Sequence, residues 1–287
     1  MNTFDSAWLD RMYDNRKLVR EYPEHFRKWA AGSQDVLRGG TCAFDVRYGG
    51  GPGEHLDVFR TESAGGHDHA PVLVFIHGGY WRALDKKDHA FVAPAFTRKG
   101  VCVVVPNYAL CPAVTIPDIV MQMVRALAWT WKHIAQYGGN RDRIVVAGHS
   151  AGGHLAAMMA ACLWKTYDPA LPHDLVKGAL SISGLHDLEP IMHTTFLQPS
   201  VNLTDAQVQM ASPARLPTPA QGKLYSVCGA LESEEFHRQT QLIRDAWGAA
   251  RVPLCELVPG RNHFSVLEDF AAPGNRVHDL ALELIQG

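Results

Sequence analysis

The segment Gly148-His149-Ser150-Ala151-Gly152 places a serine between two glycines, directly after an apolar run. This G-x-S-x-G pattern is typical of a nucleophile elbow when a strand precedes it and a helix follows it. Small flanking residues keep side-chain atoms out of the crowded turn, so that the hydroxyl stands clear of the sheet. Because a serine hydroxyl is a weak nucleophile, a base must take its proton during attack on a carbonyl carbon. The pattern therefore predicts Ser150 as the nucleophile of an acyl-transfer reaction.

A second glycine-containing segment, His77-Gly78-Gly79-Tyr80-Trp81, follows the apolar run Pro71–Ile76. Attack on a carbonyl puts negative charge on its oxygen, and backbone N–H groups that already point there stabilise this charge. Glycines let the main chain approach the reacting group closely. The predicted oxyanion hole consists of the N–H groups of Gly79, Tyr80 and Ala151, with Gly78 shaping the turn.

Side chains near these two motifs have separate predicted roles. Tyr80 and Trp81 are candidate walls of the substrate pocket, but Trp81 can equally be a buried aromatic residue that fixes the loop. His77 is expected to orient the loop and not to act as the base. His154, four residues after Ser150, is expected to pack beneath the elbow.

The base and the acid are expected further along the chain, because in hydrolases with this elbow they follow the nucleophile in the order acid, then base. His263 lies in a loop directly after the predicted strand Pro253–Val258 and is the predicted base. Glu232 follows the predicted strand Lys223–Cys228 and is the preferred acid, which would hold the imidazole in the required tautomer. Asp187, after the preceding strand, stays open as the alternative acid.

The elements that must position these residues alternate between strands and helices. The predicted strands are Thr41–Tyr48, Leu56–Arg60, Pro71–Ile76, Val101–Pro106, Arg143–Ala147, Gly178–Ser183, Lys223–Cys228 and Pro253–Val258. The predicted helices are Asp5–Arg20, Pro23–Ala30, Lys87–Lys99, Pro117–Tyr137, one that begins at Ser150, Glu234–Trp247 and Asn275–Ile285. This alternation predicts an α/β fold, with a mostly parallel central sheet and helices on both faces.

The whole chain, residues 1–287, is expected to form a single domain, on which the helical segment 1–40 packs. An irregular polar insertion, Leu185–Gln221, separates two of the predicted strands. Insertions and flanking segments of this kind often cover binding sites. We therefore expect a small cap formed by the amino-terminal helices and residues 185–221.

Composition excludes several classes of protein. With 47% hydrophobic and 20% charged residues, the chain can bury a large core, which excludes a disordered protein. The net charge of −2 gives no reason to expect a nucleic-acid partner. Apolar runs such as Val101–Pro106 are too short to span a bilayer, and the first residues do not resemble a secretory signal. The protein is expected to be soluble and cytoplasmic, without a membrane partner, and a homodimer stays open.

Neither a metal nor another cofactor is expected. The six cysteines form no C-x-x-C pair and are predicted to be free thiols. The histidines form no H-E-x-x-H motif, and His67-Asp68-His69 lies in a glycine-rich segment that predicts a solvated loop.

In its glycine-containing motifs and the segments around the predicted acid and base, the chain resembles the α/β-hydrolase-type kynurenine formamidases (arylformamidases). These are related to the hormone-sensitive-lipase-like esterases. The matching segments are His77–Trp81, Gly148–Gly153, Glu232–Gln239, Asn262–Phe264, Tyr13-Asp14-Asn15-Arg16 and Leu56–Phe59. The HGGxW form distinguishes this family, because the esterase relatives usually carry HGGG there. Animal members carry Asp where this sequence has Glu232.

The resemblance implies hydrolysis of a small aryl amide, N-formyl-kynurenine, to kynurenine and formate through an acyl-enzyme and without a metal. A formyl group needs little room, so the acyl side of the site is expected to be tight and the leaving-group side aromatic. The first alternative is a general short-acyl carboxylesterase, since one fold serves many acyl groups. The remote alternative is a non-catalytic receptor that binds a small ligand on a hydrolase scaffold.

Overall fold

The structure is a computed structural model that describes residues 4–39, 42–61 and 69–287. In these residues, apolar runs form an eight-stranded sheet. Thr41, the first residue of a predicted strand, and residues 67 and 68 of the predicted solvated loop lie outside these ranges. The strands are β1 (Cys42–Arg47), β2 (His55–Phe59), β3 (Ala70–Ile76), β4 (Cys102–Pro106), β5 (Gly139–His149), β6 (Val176–Ile182), β7 (Lys223–Gly229) and β8 (Leu254–Val258).

The sheet has the order β1-β2-β4-β3-β5-β6-β7-β8. Strand β2 pairs antiparallel with β1 and β4, and every neighbouring pair from β4 to β8 in this order is parallel. Because parallel strands end at the same edge, the loops that follow β3, β5, β6, β7 and β8 meet there. The predicted mostly parallel sheet is confirmed.

The helices are α1 (Ser6–Tyr13), α2 (Asn15–Leu18), α3 (Tyr22–Arg38), α4 (Ala93–Thr97), α5 (Ile116–His133), α6 (Ala151–Ala160), α7 (Trp164–Tyr167), α8 (Glu189–Met192), α9 (Gln198–Val201), α10 (Asp205–Ala211), α11 (Glu234–Trp247), α12 (Ser265–Phe270) and α13 (Arg276–Gln286). None of these described helices is long and apolar enough to cross a membrane.

Helices cover both faces of the sheet, as the alternation in β3 shows. Val72, Val74 and Ile76 belong to one buried cluster with residues of α1, α5 and α6. Leu73 and Phe75 belong to a second cluster with residues of α3, α4, α12 and α13. Side chains of a strand point alternately to opposite faces, so a strand buried on both faces consists of apolar residues throughout.

Several helix predictions need correction. The predicted helix Asp5–Arg20 is interrupted at Asp14, whose carboxylate accepts a hydrogen bond from the N–H of Lys17 at 3.3 Å and caps α2. Most of Lys87–Lys99 is not α-helical, because two short 3₁₀ turns precede α4. The second predicted helix extends further, to Arg38.

The insertion 185–221 is more regular than its polar composition indicates. It contains the short helices α8 to α10 and buries Leu188, Ile191 and Leu197. His154 of α6 holds this insertion from below. Its Nε2–H donates to the carbonyl oxygen of Ala211 at 2.6 Å, while its Nδ1 accepts from the indole N–H of Trp81 at 3.3 Å. This confirms the predicted packing of His154.

Helix α6 approaches β3 at Gly152, and this close approach generates a prediction for stability. A Cβ added there would overlap the carbonyl oxygen of Ile76. We expect Gly152→Ala to lower the free energy of unfolding by about 2–3 kcal/mol, because the backbone must shift. Gly50→Ala is the matched control, since its Cβ would meet no described atom within 4 Å. Equal unfolding free energies of the two variants in urea would contradict this packing.

The ionisation of His154 generates a second prediction. Burial lowers the pKa of His154 to about 3, whereas a histidine in the unfolded chain titrates at about 6.5. The folded state therefore excludes a proton that the unfolded state accepts, so this stability is present above about pH 6.5 and is lost as the pH falls. We expect His154 to account for a loss of about 2 kcal/mol between pH 7 and pH 5.

Urea unfolding at both pH values measures this loss. In His154→Gln the amide can still donate to Ala211 but does not titrate, so the loss on acidification should be smaller by that amount. His173→Gln is the control, because the side chain of His173 is 61% exposed. An unchanged pH dependence in His154→Gln would show that His154 does not contribute as expected.

Candidate active site

Ser150 occupies a strained turn between β5 and α6. Its backbone has φ +58° and ψ −119°, a conformation that non-glycine residues rarely adopt outside functional sites. The N–H of Ser150 donates to the carbonyl oxygen of Ile182 at 2.8 Å, which ties the turn to the end of β6. A Cβ at Gly148 would overlap the carbonyl oxygen of Gly152, so the tight turn requires the small residue. The strand–turn–helix context predicted for the G-x-S-x-G motif is present.

The imidazole of His263 is held by a buried carboxylate. Its Nδ1 lies 2.6 Å from Oε2 of Glu232, whose side chain is inaccessible to solvent. The other oxygen, Oε1, accepts from the hydroxyl of Ser183 and the N–H of Gly229, each at 2.6 Å. Because ionised Glu232 can only accept, His263 donates from Nδ1, and in the neutral ring Nε2 is left as the proton acceptor.

Asp187, the alternative acid, has a different partner. Its Oδ1 accepts from Nε of Arg215 at 3.0 Å and lies 2.9 Å from Nη2 of the same guanidinium. The carboxylate that contacts His263 is therefore that of Glu232. The sequence motifs do not predict a role for Ser183, although it ends a predicted strand at the edge where the other residues meet.

The loop after β3 lies against the serine. A Cβ at Gly78 would be 2.7 Å from the carbonyl oxygen of His149 and 3.1 Å from Cβ of Ser150. Gly79 has φ +109° and Tyr80 has φ +50°. Among the described residues, no acceptor takes the backbone N–H of Gly79, Tyr80 or Ala151. These three donors are thus available to a ligand, as an oxyanion hole requires.

His77 orients this loop, as predicted. Its ring is fully buried, and its Nε2 lies 3.0 Å from Oδ1 of Asn107 while its Nδ1 lies 2.8 Å from the carbonyl oxygen of Gly78. Tyr108 stacks on the ring at 4.3 Å and donates its hydroxyl to the carbonyl oxygen of His77. Burial lowers the pKa of His77.

Trp81 does not line the site. Its side chain is fully buried, where the indole N–H donates to His154 and the two rings meet edge to face at 5.1 Å. The prediction that Trp81 is a wall of the substrate pocket is wrong, and the alternative of a buried aromatic residue that fixes the loop holds. The indole is directed inward because the buried imidazole below offers its N–H an acceptor.

A cavity of about 420 Å³ contains both Ser150 and His263. Aromatic side chains form much of its wall, among them those of Phe26, Trp29, Tyr80, Phe196 and Phe264. Phe26 and Trp29 belong to α3, and Phe196 belongs to the insertion. Both parts of the predicted cap, the amino-terminal helices and residues 185–221, therefore contribute to the wall of the cavity.

The amino-terminal segment also supports the two loops beneath it. The hydroxyl of Tyr80 donates to the carbonyl oxygen of Tyr13 at 2.7 Å, and Asn15 donates to that hydroxyl at 3.3 Å. Ser233, next to Glu232, donates its hydroxyl to the carbonyl oxygen of Met12 at 2.6 Å. The sequence predicts that this segment packs on the domain and caps it, but not these contacts with the two loops. Its family-like residues 13–16 were the available signal.

His149 links the turn of Ser150 to the loop of His263. Its Nε2 donates to the carbonyl oxygen of His263 at 2.7 Å, and the two rings lie 4.8 Å apart. Burial places the pKa of His149 well below its ordinary value, so the ring is neutral. Within the described ranges, no group of three or more His, Cys, Asp or Glu side chains is placed to hold a metal ion.

The chain is similar in sequence to several known proteins. The BD-FAE family model matches residues 56–198. The kynurenine formamidase of Danio rerio is 30% identical over 98% of this chain and 93% of that protein. The esterase LipQ of Mycobacterium tuberculosis is 36% identical over 50% of this chain and 35% of that protein.

A solved structure is also similar to this chain over nearly its whole length. The crystal structure of a putative thioesterase from Silicibacter sp. TM1040 superposes with a TM-score of 0.82, at 28% identity over 97% of this chain and 99% of that chain. Together with the full-length similarity to the Danio rerio enzyme, this shows an α/β-hydrolase fold. The chain belongs to the kynurenine formamidase family of α/β-hydrolase enzymes.

Proposed function

We propose that this protein is a serine hydrolase that cleaves the formamide bond of N-formyl-kynurenine, giving kynurenine and formate. The observation that carries the proposal is the 2.6 Å contact between Glu232 and His263 beside a cavity that also contains Ser150. Three loops from different strands supply these residues, and a nucleophile, a base and an orienting acid are the parts that acyl transfer requires.

In the first half of the reaction, the hydroxyl oxygen of Ser150 attacks the formyl carbon. Nε2 of His263 accepts the hydroxyl proton, and Glu232 stays ionised and stabilises the imidazolium. The N–H groups of Gly79, Tyr80 and Ala151 bind the negative oxygen of the tetrahedral intermediate. His263 then returns the proton to the departing amine nitrogen as the C–N bond breaks.

The second half releases the acyl group. A water molecule attacks the formyl-enzyme while Nε2 of His263 takes one of its protons. The tetrahedral intermediate collapses, Ser150 leaves and regains its proton from His263, and formate departs. The aromatic wall of the cavity supports an aryl leaving group, since such sites bind rings by stacking and burial.

Two further features bear on the proposal. The likeness of half the chain to the esterase LipQ keeps a short-acyl carboxylesterase as the second candidate.

We also propose a cytoplasmic location, because the cysteines of the described residues are free thiols, as is usual in reducing compartments.

The test of the proposed function compares turnover of N-formyl-kynurenine with that of p-nitrophenyl acetate. We expect formamidase activity in the wild type and a loss of at least about 10⁴-fold in kcat for Ser150→Ala, because the covalent route is removed. A fluorophosphonate probe should label the wild type and not the variant. Good ester turnover with negligible formamidase activity would favour the carboxylesterase, and an intact protein that never labels would favour the receptor.

The hydrogen bond from Ser183 to Glu232 generates a separate prediction. We expect Ser183→Ala to lower kcat/KM about tenfold, since the carboxylate that orients His263 loses a charge-assisted hydrogen bond. Ser226→Ala is the matched control, because the hydroxyl of Ser226 is buried in β7 and donates to Thr240 instead. Equal activities of the two variants would show that Ser183 does not help to position Glu232.

A further inference from the structure

Arg16 is a charged residue of the cavity wall whose hydrogen-bonding groups are unused. It is an exposed residue of α2, and its guanidinium lies 5.5 Å from the ring centroids of both Tyr22 and Phe26. No carboxylate of the described residues pairs with it, and no described acceptor takes any of its N–H groups. Contact with two rings restricts the guanidinium and leaves its N–H edges available.

The other charged groups of the wall are already engaged by the protein. Asp14 pairs with Lys17 at 2.9 Å and caps α2. Arg82 donates from Nη1 to the carbonyl oxygen of Phe196 at 2.8 Å and to the hydroxyl of Ser200 at 2.9 Å. Arg82 therefore links the insertion to the loop after β3. Of the two arginines among the described residues that line the cavity, Arg16 is the one whose guanidinium is available to a ligand.

The chemistry of a guanidinium indicates which ligand it would bind. Its planar fork of N–H groups matches the two oxygens of a carboxylate, which it can bind through two parallel hydrogen bonds. We infer that Arg16 binds the carboxylate that the kynurenine leaving group carries, so that the enzyme selects carboxylate-bearing aryl formamides over neutral ones. This inference rests on the proposed function and assigns one residue of the site to the part of the substrate that does not react.

The test compares two formamides that differ in this group. The first is ortho-formamidobenzoylpropionate, which is N-formyl-kynurenine without its amino group, and the second is the neutral ortho-formamidoacetophenone. The readout is the ratio of their kcat/KM values. We expect Arg16→Met to lower this ratio about tenfold, because one charge-assisted pair with the carboxylate is lost in a partly hydrated site. The ratio for Arg16→Lys should lie between those of the wild type and Arg16→Met, because a lysine keeps the charge but loses the planar fork of N–H groups.

Arg20→Met is the matched control, because Arg20 is an exposed arginine nearby that does not line the cavity. Its ratio should stay within about twofold of the wild-type ratio, since long-range surface charge is screened by salt. A binding measurement gives a second readout: in the Ser150→Ala background, Arg16→Met should weaken the binding of kynurenine about tenfold. An unchanged ratio in Arg16→Met, or an equal fall in Arg20→Met, would overturn the inference.

Failure of the proposed function would give a different result. The wild type would then turn over neither formamide but would still hydrolyse p-nitrophenyl acetate. The part played by Arg16 is measured in that case with para-acetoxybenzoate and phenyl acetate, again as a ratio. A fall in the ester ratio for Arg16→Met would support carboxylate binding, and an unchanged ratio would overturn it.

Discussion

The contact between Glu232 and His263 is the interaction on which the rest of the site depends. The carboxylate is buried and accepts hydrogen bonds from Ser183 and Gly229, so it can take up only one position. His263 in turn receives its orientation from that carboxylate and its backbone position from His149. A base held in this way needs little reorganisation when the serine proton moves, which is the main contribution a protein makes to such chemistry.

The topology of the sheet explains why residues so far apart in the sequence meet. Ser150 follows β5, Ser183 follows β6, Glu232 follows β7 and His263 follows β8. These strands are parallel neighbours, so each delivers its following loop to the same edge. The main residues can therefore be assigned from the sequence alone, because strands buried on both faces appear as apolar runs with motifs at their ends.

Other features could not be predicted, for identifiable physical reasons. Whether Trp81 faces the cavity or the core depends on the acceptor that His154 offers, and that contact joins residues 73 positions apart. The interruption at Asp14 depends on one capping hydrogen bond within a polar amphipathic stretch. Tyr13 bonds to Glu235 across 222 positions, and no periodicity in a single sequence reveals such a pair. Local patterns determine the strands, while long-range pairing determines which side chains face the substrate.

Tyr80 belongs to two parts of the molecule at once. Its main chain carries one of the available donors beside Ser150, and its phenol is anchored to the backbone of Tyr13. Movement of the first helices would therefore displace the N–H group of Tyr80, which is expected to donate to the carbonyl oxygen of the substrate. Removing those helices would accordingly slow the turnover even of substrates too small to contact them. A fusion partner attached at the amino-terminal end would alter turnover without blocking the entry of substrate into the cavity.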